Sequence, residues 1–170
     1  NIITQDYLDG RQLEELDILE KEKFAKLLWN FSFESAFING HWHSDLHKGN
    51  IIFFENKIGI IDFGLTGKLN PFEKSVMLNY NTHILKHEWK LASNIYVSKM
   101  VHKKERLSSK SMEMFKNEIE LILKNNFTKN KPEILGIVNK LAKCSHKYKA
   151  IFNNKFVNFE LAFCTLSSTL

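Results

Sequence analysis

Two short apolar runs, "IIFF" at 51–54 and "IGII" at 58–61, parted by the polar stretch Glu55-Asn56-Lys57, constrain this 170-residue chain more than any other feature. Four apolar residues on each side of a polar turn predict paired antiparallel strands, because a helix needs a longer periodic pattern. Each run carries a polar residue at its far end, Asn50 before the first and Asp62 after the second. Closing the hairpin brings those ends together, so the segments beyond them must meet. One is "HWHSDLHKGN", residues 41–50, with three histidines and an aspartate; the other is Asp62-Phe63-Gly64.

Three chemistries compete for these residues. "HWHSDLH" nearly spells the H-x-H-x-D-H run of binuclear zinc hydrolases, but Leu46 separates Asp45 from His47 and turns every later ligand aside. Ser44, His43 and Asp45 are consecutive and cannot readily share one proton path, and the sequence has no G-x-S-x-G elbow. The third reading joins both ends of the hairpin: His43, Asp45 and Asn50 are spaced as H-x-D-x-x-x-x-N and are followed by D-F-G, the arrangement of kinase-like phosphotransferases. Either motif alone arises by chance; both in order across a hairpin are specific. Hard divalent cations take oxygen ligands, which Asn50 and Asp62 would supply from opposite ends of the hairpin, making ATP and Mg²⁺ the expected cofactors. Asp45 would orient or deprotonate an acceptor hydroxyl or water, His43 would brace the loop through backbone or Asp62, and Gly64 completes the nucleotide-side motif. The bland alternative is a polar loop beside a buried hairpin, with Asp62 as a turn residue. His47 reads as a loop cap, and His41, His83, His87, His102 and His146 as ordinary residues without acidic partners.

Around this centre, Phe24, Leu27, Leu28, Phe31, Ala36 and Phe37 predict an amphipathic helix over about 17–39, closed by Gly40. Asn70, Pro71 and Glu73 form the start signal of another helix, and further helices are expected near 88–101, 109–126, 132–146 and 155–168. The net charge of +5 and pI near 9.1 come from scattered lysines rather than one basic block, so no nucleic-acid partner is expected. Cys144 and Cys164 form no C-x-x-C pair, which favours a reducing, cytoplasmic setting. The apolar stretch near residue 170 is interrupted by Asn158 and Glu160, so no transmembrane segment is expected.

The stretch "HWHSDLHKGNIIFFENKIGIIDFGLTGKLNP" resembles the UbiB-type atypical kinase-like family of ubiquinone-biosynthesis accessory proteins. His43, Asp45, His47, Gly49, Asn50, Asp62, Phe63, Gly64, Gly67 and Leu69 match that family's H-x-D-x-H-P-G-N, hairpin, D-F-G and G-x-L pattern. Lys48 stands where the family has Pro, which frees one backbone angle. "ITQDYLDGRQL" is similar to the family's hinge, with Asp6 in place of Glu, and "VNFELAFCTLSSTL" resembles a late helix. Aminoglycoside and choline phosphotransferases share the loop motif but separate hinge and loop by many more residues. The resemblance implies an α+β, mainly α fold: a protein-kinase-like C-terminal lobe with a small catalytic β-hairpin and no N-lobe. Within this one domain, 1–12 would be the hinge strand and turn, 41–64 the catalytic loop, hairpin and D-F-G, and 70–170 a helical bundle.

The same resemblance implies a phosphotransferase or ATPase that binds ATP and Mg²⁺ and supports isoprenoid-quinone biosynthesis, peripheral to an inner membrane or its quinone-biosynthesis complex. The family's Ala-rich nucleotide loop, phosphate-binding Lys with its Glu partner, and K-x-G-Q segment have no counterpart in the sequence. A truncated or split copy is therefore expected, with an upstream N-lobe polypeptide as partner and poor catalysis alone. The alternatives are a non-catalytic remnant used as an interaction domain, or a lobe of a small-molecule phosphotransferase.

Overall fold

Capping residues set where the helices begin. The side chain of Asp17 accepts from the Glu20 amide and opens α1 (Ile18–Phe33). The chain then widens into a π turn over Glu34–Asn39 and stops at Gly40, whose φ of 74° is the left-handed conformation that ends helices. The computed structural model describes residues 7–102, 104–128 and 133–169. Asp6 and the rest of 1–6, where the sequence predicts a strand, lie outside them. After Gly40 come β1 (His41–His43), β2 (Ile51–Phe54), β3 (Lys57–Ile60), β4 (Thr66–Lys68), α2 (Pro71–Leu85) and α3 (Trp89–Ile95). The chain continues through β5 (Val101–His102), α4 (Ser109–Phe127), α5 (Ile134–Lys147), β6 (Ile151–Phe152) and α6 (Asn154–Thr169). The architecture is mainly helical α+β, with three two-stranded antiparallel ladders among the described residues.

The central hairpin pairs β2 with β3, Ile51 opposite Ile60 and Phe54 opposite Lys57. Its turn is two residues long, with Glu55 at a φ of 50°, so Lys57 belongs to the strand rather than to the turn the sequence suggested. Arg11 adds a third edge, exchanging backbone hydrogen bonds with Phe53 at 2.7 and 2.9 Å. A second ladder, unforeseen from sequence, pairs β1 with β4. It opens with Leu69 N–H donating to the Gly40 carbonyl at 2.8 Å and extends to Ser44 N–H donating to the Leu65 carbonyl at 2.8 Å. At its centre Trp42 faces Gly67, where an added Cβ would lie 2.0 Å from the indole ring. Only glycine leaves the ring room there.

Asn70 and Glu73 form a reciprocal capping box at the start of α2, with Pro71 as the first helical residue. Glu73 also holds Lys155 at 2.8 Å, tying the first turn of α2 to that of α6. Partial burial pushes the Glu73 carboxyl up, but the Lys155 ammonium and the Asn70 amide outweigh it and hold the group below the usual carboxylate range. The core has two parts. The larger joins α2 to α6 around Tyr96, Phe115, Ile119 and Phe156; the smaller joins α1 to the hairpin through Phe24, Leu28, Ile51 and Phe53. No helix among the described residues is long and apolar enough to cross a membrane.

Candidate functional site

Both ladders release their polar connections at the same end. The ladder of β1 and β4 delivers residues 44–50 and 61–65, while the hairpin fixes the far ends of those segments to each other, Ile61 N–H donating to the Asn50 carbonyl at 3.0 Å. The sequence expectation that Asn50 and Asp62 flank one hairpin end is therefore met in the backbone.

His43 joins the two segments. Its ring is buried, and Nε2 lies 2.8 Å from the carbonyl oxygen of Asp62 and 3.3 Å from that of Ile61. Nδ1 accepts the backbone N–H of Asp45 at 3.1 Å. An acceptor role for Nδ1 requires the proton on Nε2, which donates to the carbonyls. One imidazole thus clamps the loop to the segment after the hairpin, with the Phe63 ring edge-on at 5.5 Å.

Asn50 is buried immediately before β2, and its Nδ2 donates to the Asp45 carbonyl at 3.0 Å. That bond uses one of the two amide N–H groups, and Oδ1 receives no protein donor among the described residues. Asp62 is exposed, at a φ of 59°, and its Oδ1 accepts the Gly64 amide at 3.1 Å. A left-handed conformation is tolerated best by Asn and Asp among residues with a Cβ, and it turns the chain sharply away from β3 at this residue. Asp45 is half exposed, and its Oδ2 lies 3.8 Å from His47 Nε2. His47 caps the short helical turn Lys48–Asn50, its Nδ1 accepting the Gly49 amide at 3.1 Å, as the sequence suggested. Lys48 pairs with Glu14, whose carboxyl is held below its usual range by that ammonium and then by its own backbone. The Lys at this position therefore ties the loop to the segment ahead of α1.

The donor set is oxygen: the Asn50 amide oxygen and the carboxylates of Asp62 and Asp45. It suits a hard cation that keeps waters and substrate phosphates as its remaining ligands. Among the described residues no group of three or more His, Cys, Asp or Glu could hold a metal by itself. His83, read from sequence as lacking an acidic partner, pairs with Glu88 across the end of α2. Sequence reasoning also passed over Glu160, noted there only as an interruption of an apolar stretch.

Residues 1–96 match the family model of the ABC1 atypical kinase-like domain, a range that contains the loop, the hairpin and Asp62-Phe63-Gly64. An uncharacterized protein of Synechocystis sp. is 33% identical over 63 residues, which are 36% of this chain and 15% of that protein. An uncharacterized protein in the hydrogenase 1 5′ region of Clostridium pasteurianum is 33% identical over 89 residues, 49% of this chain and 16% of that protein. The chain thus spans a small part of the length of either relative.

Proposed function

The chain belongs to the ABC1 atypical kinase-like family, the UbiB family, and from that premise we propose that it forms the catalytic-loop half of an ATP and Mg²⁺ site in a phosphotransferase or ATPase. In this reading the helices and the hairpin correspond to a protein-kinase-like C-lobe. Asn50 Oδ1 and the Asp62 carboxylate are the protein ligands of Mg²⁺, which when bound neutralises the phosphate oxygens of the nucleotide. Asp45 orients, or takes the proton from, the attacking hydroxyl or water. Gly64 leaves the backbone beside Asp62 uncrowded for the nucleotide.

The observation that carries this reading is the His43 clamp. A polar loop with no shared task has little use for a buried imidazole that fixes Asp45 with one nitrogen and the Asp62 carbonyl with the other. Positioning is most of phosphoryl-transfer catalysis, and the clamp holds the proposed base and the proposed metal ligand in one frame.

The phosphate-binding lysine and nucleotide roof of the family have no counterpart in these 170 residues. Tyr7, Ile18 and Leu19, 88%, 77% and 77% exposed, are apolar surface on which a nucleotide-binding lobe would seat. A role in isoprenoid-quinone biosynthesis near a membrane is supported by the family resemblance alone.

Thermal unfolding with and without MgATP tests the site, using the chain alone and together with the polypeptide encoded upstream. Asp62→Asn is the informative variant, since Asn tolerates the left-handed backbone and keeps an oxygen for the Gly64 amide while losing the charge. A MgATP-dependent rise in Tm that Asp62→Asn abolishes is expected. A rise that survives Asp62→Asn, or none in either setting, overturns the proposal, and stabilisation by Zn²⁺ alone would point instead to the histidines.

A further inference from the structure

Behind the loop, the last turn of α6 meets it in two ways. Leu166 is buried in the same small cluster as Leu46, Ile51 and Phe53, so its side chain fills space under the loop. Three residues on, the Thr169 hydroxyl donates to the main-chain carbonyl of Leu46 at 2.9 Å. Hydroxyls on helices ordinarily fold back onto the carbonyl four residues earlier, as that of Ser167 does onto Phe163 at 2.8 Å. Thr169 has that partner too, the Thr165 carbonyl at 3.0 Å, yet it shares its single proton with a peptide 123 residues away in sequence. The Leu46 carbonyl has no other donor among the described residues.

We infer that Thr169 is a positioning residue for the loop, setting the direction of Asp45 through the peptide of Leu46. Burial alternates along this stretch: Leu46 is buried, while the side chains to either side of it, Asp45 and His47, are 49% and 51% exposed. Holding Leu46 inward by both its side chain and its carbonyl leaves its two neighbours facing outward. The other bonds on Asp45 come from within residues 41–65, His43 Nδ1 accepting its N–H and Asn50 Nδ2 donating to its carbonyl. They fix the loop against itself and not against the helices. Lys48 with Glu14 does reach outside, but it is an exposed ion pair, a kind that holds weakly. The end of α6 therefore sets the loop against the helical body, and it takes hold at the residue next to Asp45. The use of that aim in phosphoryl transfer rests on the nucleotide site proposed above; the hold itself does not.

Native-state hydrogen exchange of the chain without nucleotide tests the hold in two variants. Thr169→Val keeps the branched shape and loses the donor, and Thr169→Ser keeps the donor. In Thr169→Val the amides of Asp45, Gly49 and Asn50 are expected to exchange about fivefold faster, the worth of one hydrogen bond, with those of α3 and α4 unchanged. Thr169→Ser should exchange as wild type does. In a second measurement, the Mg²⁺ concentration that gives half of the MgATP-dependent rise in Tm should climb by a similar factor in Thr169→Val and return to the wild-type value in Thr169→Ser. A wild-type chain with no MgATP response sinks the nucleotide reading, and the exchange rates then decide the hold by themselves. Unchanged loop amides in Thr169→Val, acceleration spread equally over α3 and α4, faster loop exchange that Thr169→Ser shares, or a Thr169→Val chain that does not fold overturns the inference.

Discussion

Ionising a carboxyl with one oxygen sealed from water, as in Glu160, costs more than ionising one in water, and the pH dependence of stability follows. In the unfolded chain the group loses its proton near 4.5, and in the folded chain near 8. Between about 4.5 and 8 the folded state therefore holds a proton that the unfolded state has released, and stability falls as pH rises. The contribution is full below that window and gone above it. Thermal unfolding at pH 5 and pH 8.5 should show a larger drop for wild type than for Glu160→Gln; parallel drops would mean that the acid is solvated. Residues of this kind resist reading from sequence, since a lone Glu on an apolar helix looks like an interruption until a cavity forms beside it. Gly67 is similar: its necessity comes from the Trp42 ring across the ladder. The meeting of His43, Asp45, Asn50 and Asp62 was legible because three residue types stand at fixed spacing around one hairpin.

Among the elements, the hairpin depends on one ring. Phe53 is fully buried, with its ring 4.9 Å from that of Phe24 on α1, and its backbone pairs with Arg11. Phe53→Ala should destabilise the chain by about 3–5 kcal/mol, read from urea unfolding; a loss below about 1 kcal/mol would show that α1 and the hairpin do not rely on this contact. The hairpin and the capped start of α2 are visible in sequence because local residues fix them. The ladders of β1 with β4 and β5 with β6 are not, since strands of three and two residues carry no periodic signal and owe their pairing to the surrounding core. The π turns at Glu34–Asn39 and Tyr96–Met100 extend their helices by a wider turn, which hydrophobic spacing alone reads as ordinary helix.

At the scale of the molecule the two core clusters differ greatly in size. Among the described residues the helical body buries 24 hydrophobic residues in one cluster and the α1–hairpin unit buries seven. Local opening follows buried contact, so native-state hydrogen exchange should show the amides of β2 and β3 exchanging before those of α3 and α4. Equal protection would mean that the clusters open as one unit. Phe163 packs against both clusters, and α6 also supplies Leu166 to the smaller one. The side-chain hydroxyl of Thr169, one turn further on, donates to the Leu46 carbonyl at 2.9 Å. This gives the loop a history in time. During synthesis, residues 41–64 leave the ribosome before their rear wall exists, and the piece that backs Leu46 is made more than a hundred residues later. The loop reaches its final shape only when the Leu166–Thr169 turn of α6 has arrived behind it.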